Sequence, residues 1–181
     1  MSSGMYSNPI SFYRVFREKN LKNFISPEHS SVHMLYFSYG SFLDSETLRR
    51  HCPRTRFVSR AILPNFEVQF NFMSRTYGGG VTGVEPAPGR MARGVVYGVP
   101  PEEMEHLDTV EGVPEGIYYR QRVLVVDEGG NLLEAQTYRT TDPKGRFKPT
   151  KRYLALMVKG AREHGLDPEY VEELEKIPTL E

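Results

Sequence analysis

The sequence has a single cysteine, no tryptophan and no excess of charge of either sign. Cys52 on its own cannot form an intramolecular disulfide. Lysine and arginine together number 23, as do aspartate and glutamate, so no net charge draws the chain toward nucleic acid or an anionic membrane. No stretch approaches the roughly 20 consecutive apolar residues of a membrane-spanning helix, and the first residues do not have the pattern of a secretory signal. These absences predict a cytoplasmic protein whose partners are neither nucleic acids nor membranes.

The composition is that of a folded protein. Apolar residues make up 39% and charged residues 25% of the 181 residues, which is typical of one soluble domain. A cluster of serine, proline, glutamate and histidine over residues 26–31 marks a change in character along the chain. We therefore expect an N-terminal extension over residues 1–33, containing an amphipathic helix over residues 11–25, and a domain over residues 34–181.

Short apolar and aromatic runs predict strands in the middle of the chain. The predicted strands cover residues 34–39, 56–71 with a break at Pro64, 93–99, 117–126 and 132–140. The last two flank a turn that contains two glycines and an asparagine, which is the pattern of a hairpin. The glycines and prolines of residues 74–90 predict a loop.

Capping residues and helical spacing predict four helices. They are a short helix capped by Asp44 or Ser45 that ends near His51, and longer helices over residues 101–112, 150–165 and 167–177. Turns join the strands as often as helices do. This order favours an α+β fold in which a small mixed β-barrel has helices at its flanks.

Patterns for metal, phosphate and serine chemistry are missing from the sequence. The five histidines form no His-Glu-x-x-His motif and there is no pair of cysteines, so we expect no metal site. The glycine run over residues 77–83 lacks the Gly-Lys-Ser/Thr ending of a phosphate-binding loop. Ser41 does not lie in a Gly-x-Ser-x-Gly elbow. The sequence therefore predicts neither a metal site nor a serine nucleophile, and we interpret the glycine run as a flexible connection.

Tyr39-Gly40-Ser41 is the first segment with potential for chemistry. It follows the first buried strand, where a glycine permits close approach of a ligand and the next amides can point at an anion. The alternative interpretation is a plain turn between a strand and a helix.

Glu111 is the second such feature. Met104 and Leu107 begin an apolar stripe on the helix predicted from residue 101, and Glu111 falls on the same face. A carboxyl group buried there would have a raised pKa and would suit proton transfer at neutral pH. The alternative is that Glu111 sits at a frayed, exposed helix end before Gly112.

These segments resemble the γ-glutamylcyclotransferase family. The resemblance runs from about Met34 to Ile177, with the motifs in family order. The matching blocks are Tyr36-Phe37-Ser38-Tyr39-Gly40-Ser41-Phe42-Leu43, Leu63-Pro64-Asn65-Phe66, Gly94-Val95-Val96-Tyr97-Gly98-Val99, Leu107-Asp108-Thr109-Val110-Glu111-Gly112-Val113, Gly116-Ile117-Tyr118, Gln136-Thr137-Tyr138 and Lys159-Gly160-Ala161-Arg162-Glu163-His164-Gly165-Leu166.

The resemblance implies a reaction and a set of site residues. It implies release of 5-oxoproline and an amino acid or amine from a γ-glutamyl compound, without metal or cofactor, in a small mixed α/β barrel. Glu111 would be the catalytic acid and base. The substrate loop would be formed by Tyr39, Gly40, Ser41, Phe42 and Leu43, and the site would be lined by Tyr118 and Tyr138. The family loop usually reads Tyr-Gly-Ser-Asn-Leu, so Phe42 replaces an asparagine and puts the identity of the substrate in question.

Two alternatives remain open from the sequence. The chain could cleave glutathione directly, although the block around Glu111 is more similar to the branch that acts on γ-glutamyl amino acids. It could instead be a non-catalytic small-molecule-binding or interaction domain of the same fold, which the change at Phe42 would permit. The resemblance also leaves a homodimer open.

Overall fold

A computed structural model describes residues 33–180 of the chain. The predicted extension, with its amphipathic helix over residues 11–25, lies outside the described residues apart from His33. Within residues 33–180 no helix is long and apolar enough to cross a membrane.

Five strands close into a barrel. They are β1 (Met34–Ser38), β2 (Arg56–Ser74), β3 (Gly79–Val99), β4 (Tyr118–Asp127) and β5 (Leu132–Thr140). The order around the barrel is β1-β3-β2-β4-β5. All neighbouring pairs are antiparallel except β1 and β5, whose parallel pairing closes the barrel at Tyr36 and Gln136. The predicted small mixed barrel is confirmed.

The described residues form four α-helices. They are α1 (Ser45–Arg49), α2 (Pro101–Val110), α3 (Lys151–Glu163) and α4 (Pro168–Glu175). The side chain of Asp44 caps α1 by accepting from Thr47 N, that of Thr150 caps α3, and Pro101 and Pro168 start α2 and α4. These helices lie where the capping pattern predicts them.

The loop predicted over residues 74–90 is wrong. Strand β3 begins at Gly79, so only a short turn separates it from β2, and β2 continues through Pro64 with an irregularity beside Asn65. Gly79, Gly80 and Gly83 serve close packing, whereas Gly78 and Gly89 have positive φ and open space where a Cβ would lie. A Cβ on Gly83 would lie 2.2 Å from Thr140 Oγ1. Glycine content alone does not distinguish these two uses.

The core has two layers because adjacent strand residues point to opposite faces. Phe37 and Val96 belong to a cluster supplied by the strands and by Tyr39 just after β1. Tyr36 and Val95, one position away on the same strands, belong to a second cluster that also receives side chains of all four helices. This second layer, between barrel and helices, contains the predicted site residues Phe42, Leu43, Tyr118 and Tyr138.

Candidate active site

Glu111 occupies a rigid helix end. It is the C-cap of α2, and its N–H bonds to Leu107 O. Gly112 follows with φ of +69° and donates to Thr109 O, and Val113 N donates to Asp108 O at 2.9 Å. These two bonds form a Schellman motif, which fixes the last turn of a helix. The frayed-end alternative for Glu111 therefore does not apply.

The carboxyl group of Glu111 is desolvated. Met104 and Leu107, on the same face of α2, are fully buried, and Glu111 itself is only partly exposed. Burial raises the pKa of Glu111 from 4.5 to about 7, with no other contribution of note. At neutral pH this carboxyl group is thus divided between its acid and base forms.

The charge of Glu111 acts on the pKa values of five tyrosines. Burial raises the pKa of each, and the negative charge of Glu111 raises it further, which places all of them within its electrostatic reach. They are Tyr36, Tyr39, Tyr118, Tyr138 and Tyr153. The predicted Tyr39, Tyr118 and Tyr138 are all among the tyrosines whose pKa the charge of Glu111 raises.

The predicted loop is a single 3-10 turn, Ser41–Leu43, between β1 and α1. Leu43 N donates to Gly40 O and Asp44 N donates to Ser41 O. The amides of Ser41 and Phe42 are the first of the turn, so they have no acceptor within it and are available to an anionic group. Ser41 is partly exposed, whereas Leu43 is fully buried.

Thr82 and Tyr153 hold the start of this turn. A Cβ on Gly40 would lie 2.4 Å from Thr82 Oγ1 and 3.1 Å from the Tyr153 hydroxyl. These two hydroxyl oxygens are 2.7 Å apart, and Thr82 N donates to the Tyr153 oxygen. The hydroxyl of Tyr118 donates to Thr82 O at 2.7 Å, so Thr82 links the turn to the tyrosine cluster.

Tyr138 connects the cluster to a partly exposed ion pair. Its hydroxyl donates to Asp108 Oδ1 at 2.6 Å, and Asp108 Oδ2 lies 3.2 Å from a guanidinium nitrogen of Arg120. The hydroxyl of Tyr39 donates to the backbone oxygen of Tyr138 at 2.5 Å. The protons of these tyrosines are committed to protein acceptors, so the rings serve as the wall of the site and orient one another.

The ring of Phe42 packs inward. It is 9% exposed and lies edge-on to His51, with 5.8 Å between ring centroids.

Sequence reasoning missed Thr82, Tyr153, Tyr36 and Asp108. Thr82 lies in the stretch predicted as loop, and Tyr153 lies on the apolar stripe of α3, where it reads as an ordinary core residue. Neither residue carries a local signal, because each matters through its contact with Gly40, which is distant in the sequence. Thr82 lies about 40 residues after Gly40, and Tyr153 lies more than 100 residues after it. Tyr36 and Asp108 lie within blocks that carry the family resemblance.

The desolvation of Glu111 predicts a pH-dependent stability. Between pH 4.5 and about 7 the folded state holds a proton that the unfolded state has released, so the free energy of unfolding falls as pH rises through this range. Glu111→Gln removes the cost of burying the charge. Urea denaturation should show this variant about 1–3 kcal/mol more stable than wild type at pH 8 and equally stable at pH 4.5. A gain that is the same at both values, or that Glu115→Gln on the exposed loop shares, would contradict a desolvated Glu111.

Comparison with known proteins shows which family the chain is similar to. Residues 92–174, which include Glu111 and Tyr138, match the model of the AIG2-like family. A human γ-glutamylcyclotransferase is 31% identical over 160 residues, which is 86% of this chain and 84% of the human protein. The chain belongs to the γ-glutamylcyclotransferase family. A mouse γ-glutamylcyclotransferase is 33% identical over 81% of this chain and 80% of its own length.

Solved structures of this family have the same fold. A γ-glutamyl cyclotransferase structure superposes with a TM-score of 0.79 at 30% identity, over 82% of this chain and 89% of that one. A yeast γ-glutamyl cyclotransferase described as specific to glutathione has a TM-score of 0.56 at 16% identity, over 79% of this chain and 94% of its own. The second likeness concerns the fold alone.

Proposed function

We propose that this chain is a γ-glutamylcyclotransferase in which Glu111 is the catalytic acid and base. The observation that carries the proposal is a carboxyl group with a pKa of about 7, at a rigid helix end, whose charge acts on tyrosines that link to the turn after β1. The family to which the chain belongs supports the same reaction.

The reaction needs a single proton shuttle. The α-amine of the γ-glutamyl group attacks its own γ-carbonyl carbon, a carbon–nitrogen bond forms, and the bond to the leaving amine breaks. Glu111 takes a proton from the α-ammonium and delivers it to the leaving nitrogen. The second proton, which the attacking nitrogen loses as it becomes the lactam N–H, also passes to the departing amine, so 5-oxoproline and an amino acid or amine in its ammonium form are released with no other reactant. Because nucleophile and carbonyl belong to one molecule, folding the glutamyl chain against the tyrosine wall supplies the orientation.

The turn after β1 supplies hydrogen-bond donors for the substrate. The amides of Ser41 and Phe42 would bind the α-carboxylate or the oxyanion that develops on the γ-carbonyl oxygen. Tyr118 and Tyr138 would pack the glutamyl methylenes with their rings, since their hydroxyl protons are already committed. No step requires a metal or a cofactor.

The rate of the reaction should increase with pH, as expected when a general base must be deprotonated to act. Glu111 must be ionised to accept the ammonium proton, so kcat/KM should rise about tenfold per pH unit below the pKa near 7 and level off above it. Initial rates of 5-oxoproline release from pH 5 to 8.5 test this. A profile that is flat across that range would contradict the role of Glu111.

The experiment that tests the function is a substrate panel. Purified protein is incubated with γ-glutamyl amino acids, γ-glutamyl amines and glutathione, and 5-oxoproline is quantified, with Glu111→Gln as the control. Release that depends on Glu111 supports the proposal. No release from any substrate by folded protein would favour the non-catalytic binding domain.

The same panel distinguishes the leaving groups. We propose the branch that acts on γ-glutamyl amino acids, because relatives above 30% identity carry the general family name and the glutathione-specific yeast protein is only 16% identical. Faster turnover of glutathione than of any γ-glutamyl amino acid would reverse this assignment. The cytoplasmic location and the lack of a nucleic-acid partner remain predictions from the sequence, which leaves a homodimer open.

Phe42 offers a test of substrate choice. Phe42→Asn restores the usual family residue and should shift the preference of the enzyme toward ordinary γ-glutamyl amino acids. Because the ring packs against His51, Phe42→Leu serves as the control for lost packing. If the substrate profiles of both variants equal that of wild type, the side chain at this position does not influence the leaving group.

A further inference from the structure

A second polar cluster lies behind the proposed substrate turn. It joins Ser45 at the start of α1, Tyr97 on β3 and His164 at the C-cap of α3. His164 Nε2 is 3.0 Å from Ser45 Oγ and 2.8 Å from the Tyr97 hydroxyl. Ser45 and Tyr97 are 2% and 1% exposed, and the side chain of His164 is 7% exposed. The cluster is therefore buried.

The count of protons sets the direction of these hydrogen bonds. The hydroxyl of Tyr97 lies 3.0 Å from Leu43 O, which can only accept, so the single tyrosine proton is used there. With the tyrosine proton used there, the Nε2–H tautomer of His164 is the one assigned to the contact with Tyr97. The ring of His164 also has its own hydrogen bond to the backbone of Leu43. Burial lowers the pKa of His164, which favours the neutral ring with this one proton. Tyr97 thus bonds to the last carbonyl of the turn, and His164 bonds both to Tyr97 and to the backbone of Leu43.

Helix α3 holds the same end of the turn with several contacts. Gly160 packs so closely that a Cβ there would lie 2.1 Å from the carbonyl carbon of Leu43. Glu163 Oε2 accepts from Ser45 N at 3.2 Å, and Lys159 Nζ lies 2.9 Å from the buried carboxylate of Asp44. The ring of His164 stacks on Phe57 with 4.7 Å between centroids.

We infer that Tyr97 and His164 are positioning residues, which fix the Leu43 carbonyl and thereby orient the amides of Ser41 and Phe42 toward the substrate. The inference rests on the proposed function of that turn. Its start is held at Gly40 by Thr82 and Tyr153, and Tyr97 and His164 hold its end. Donors that stabilise a developing charge are effective only when their geometry is set before the reaction.

Kinetics of matched variants test the inference. Tyr97→Phe and His164→Leu each break the bonded series and should lower kcat/KM about tenfold in protein that circular dichroism shows to be folded. Because both residues act on one carbonyl, the double variant should lose little more than either single one. His164→Gln, whose amide nitrogen replaces Nε2 as a donor, should recover most of the activity. Tyr119→Phe removes a hydroxyl from an exposed tyrosine and should leave kcat/KM unchanged.

Amide hydrogen exchange tests the positioning without turnover. Exchange in peptides spanning residues 40–45 should be faster in Tyr97→Phe and His164→Leu, and unchanged in His164→Gln, Tyr119→Phe and Glu111→Gln. Unchanged exchange in the two disrupting variants overturns the inference even if the enzyme is active. If the wild-type protein releases no 5-oxoproline, the proposed function is overturned instead. The exchange result then decides by itself whether Tyr97 and His164 hold the turn.

Discussion

Glu111→Gln should abolish turnover while leaving the fold intact. Glutamine has nearly the same shape as glutamate, so the Schellman end of α2 and the packing on Met104 and Leu107 are preserved. What is lost is the proton shuttle, which typically contributes 10²- to 10⁴-fold to a rate. We expect kcat for 5-oxoproline release to fall by about three orders of magnitude, with KM or substrate affinity near the wild-type value.

Two further variants make this result specific. Glu111→Asp keeps a carboxyl group but shortens the side chain by one methylene. Its kcat should fall about 10²-fold, because proton transfer depends on the placement of the group to within about 1 Å. Glu115→Gln, four residues away on an exposed loop, should behave as wild type. Turnover in Glu111→Gln within tenfold of wild type would exclude Glu111 as the acid and base. Equal losses in Glu111→Asp and Glu111→Gln would show that the position of the carboxyl group is critical.

Gly40→Ala should have the second-largest effect. The backbone of Gly40, with φ of −108°, has no conformation reserved for glycine, so the effect comes from the Cβ itself. That atom would meet Thr82 Oγ1 at 2.4 Å and the Tyr153 hydroxyl at 3.1 Å, and the turn must move away. A displacement of about 1 Å in a group that positions the substrate is enough to lower kcat/KM about 10²-fold. Overpacking should also lower the free energy of unfolding by about 1–3 kcal/mol.

The chain supplies both a control and a partial rescue for Gly40→Ala. A Cβ on Gly98 would find its nearest neighbour at 3.5 Å, so Gly98→Ala should leave kcat/KM unchanged. Adding Thr82→Ala to Gly40→Ala removes the closest atom and should recover part of the activity. If Gly40→Ala alone keeps wild-type kcat/KM, the turn does not hold the reacting group.

Periodicity and capping predicted most of the fold. The strands of the hairpin, the helix starts at Asp44, Pro101 and Pro168, and the mixed barrel are all observed. These features depend on residues a few positions apart, so a local pattern is sufficient to detect them. The loop prediction for residues 74–90 failed because glycines that permit close packing cannot be distinguished in the sequence from glycines that permit a turn.

The candidate site could be predicted only in part. Glu111 and the segment Tyr39–Leu43 stand out because one breaks an apolar stripe and the other ends a buried strand before a glycine. Thr82 and Tyr153 have no such signal, since their role in the site depends on their contact with Gly40. Hydrophobic periodicity likewise could not decide whether Glu111 lies at a frayed or at a fixed helix end. That outcome depends on the hydrogen bonds that the amides of Gly112 and Val113 make to carbonyl groups of the last helical turn.

By itself, the sequence determined that this is a folded α+β protein, which faces of its helices and strands are apolar, and that Glu111 interrupts one of those faces. Only the tertiary structure decided that the carboxyl group is desolvated to a pKa of about 7, that its charge acts on tyrosines from β1, β4, β5 and α3, and that α3 holds the turn after β1. The physical reason is that polarity patterns repeat over a few residues, whereas desolvation and hydrogen bonding depend on atoms that closure of the barrel brings together from distant parts of the chain.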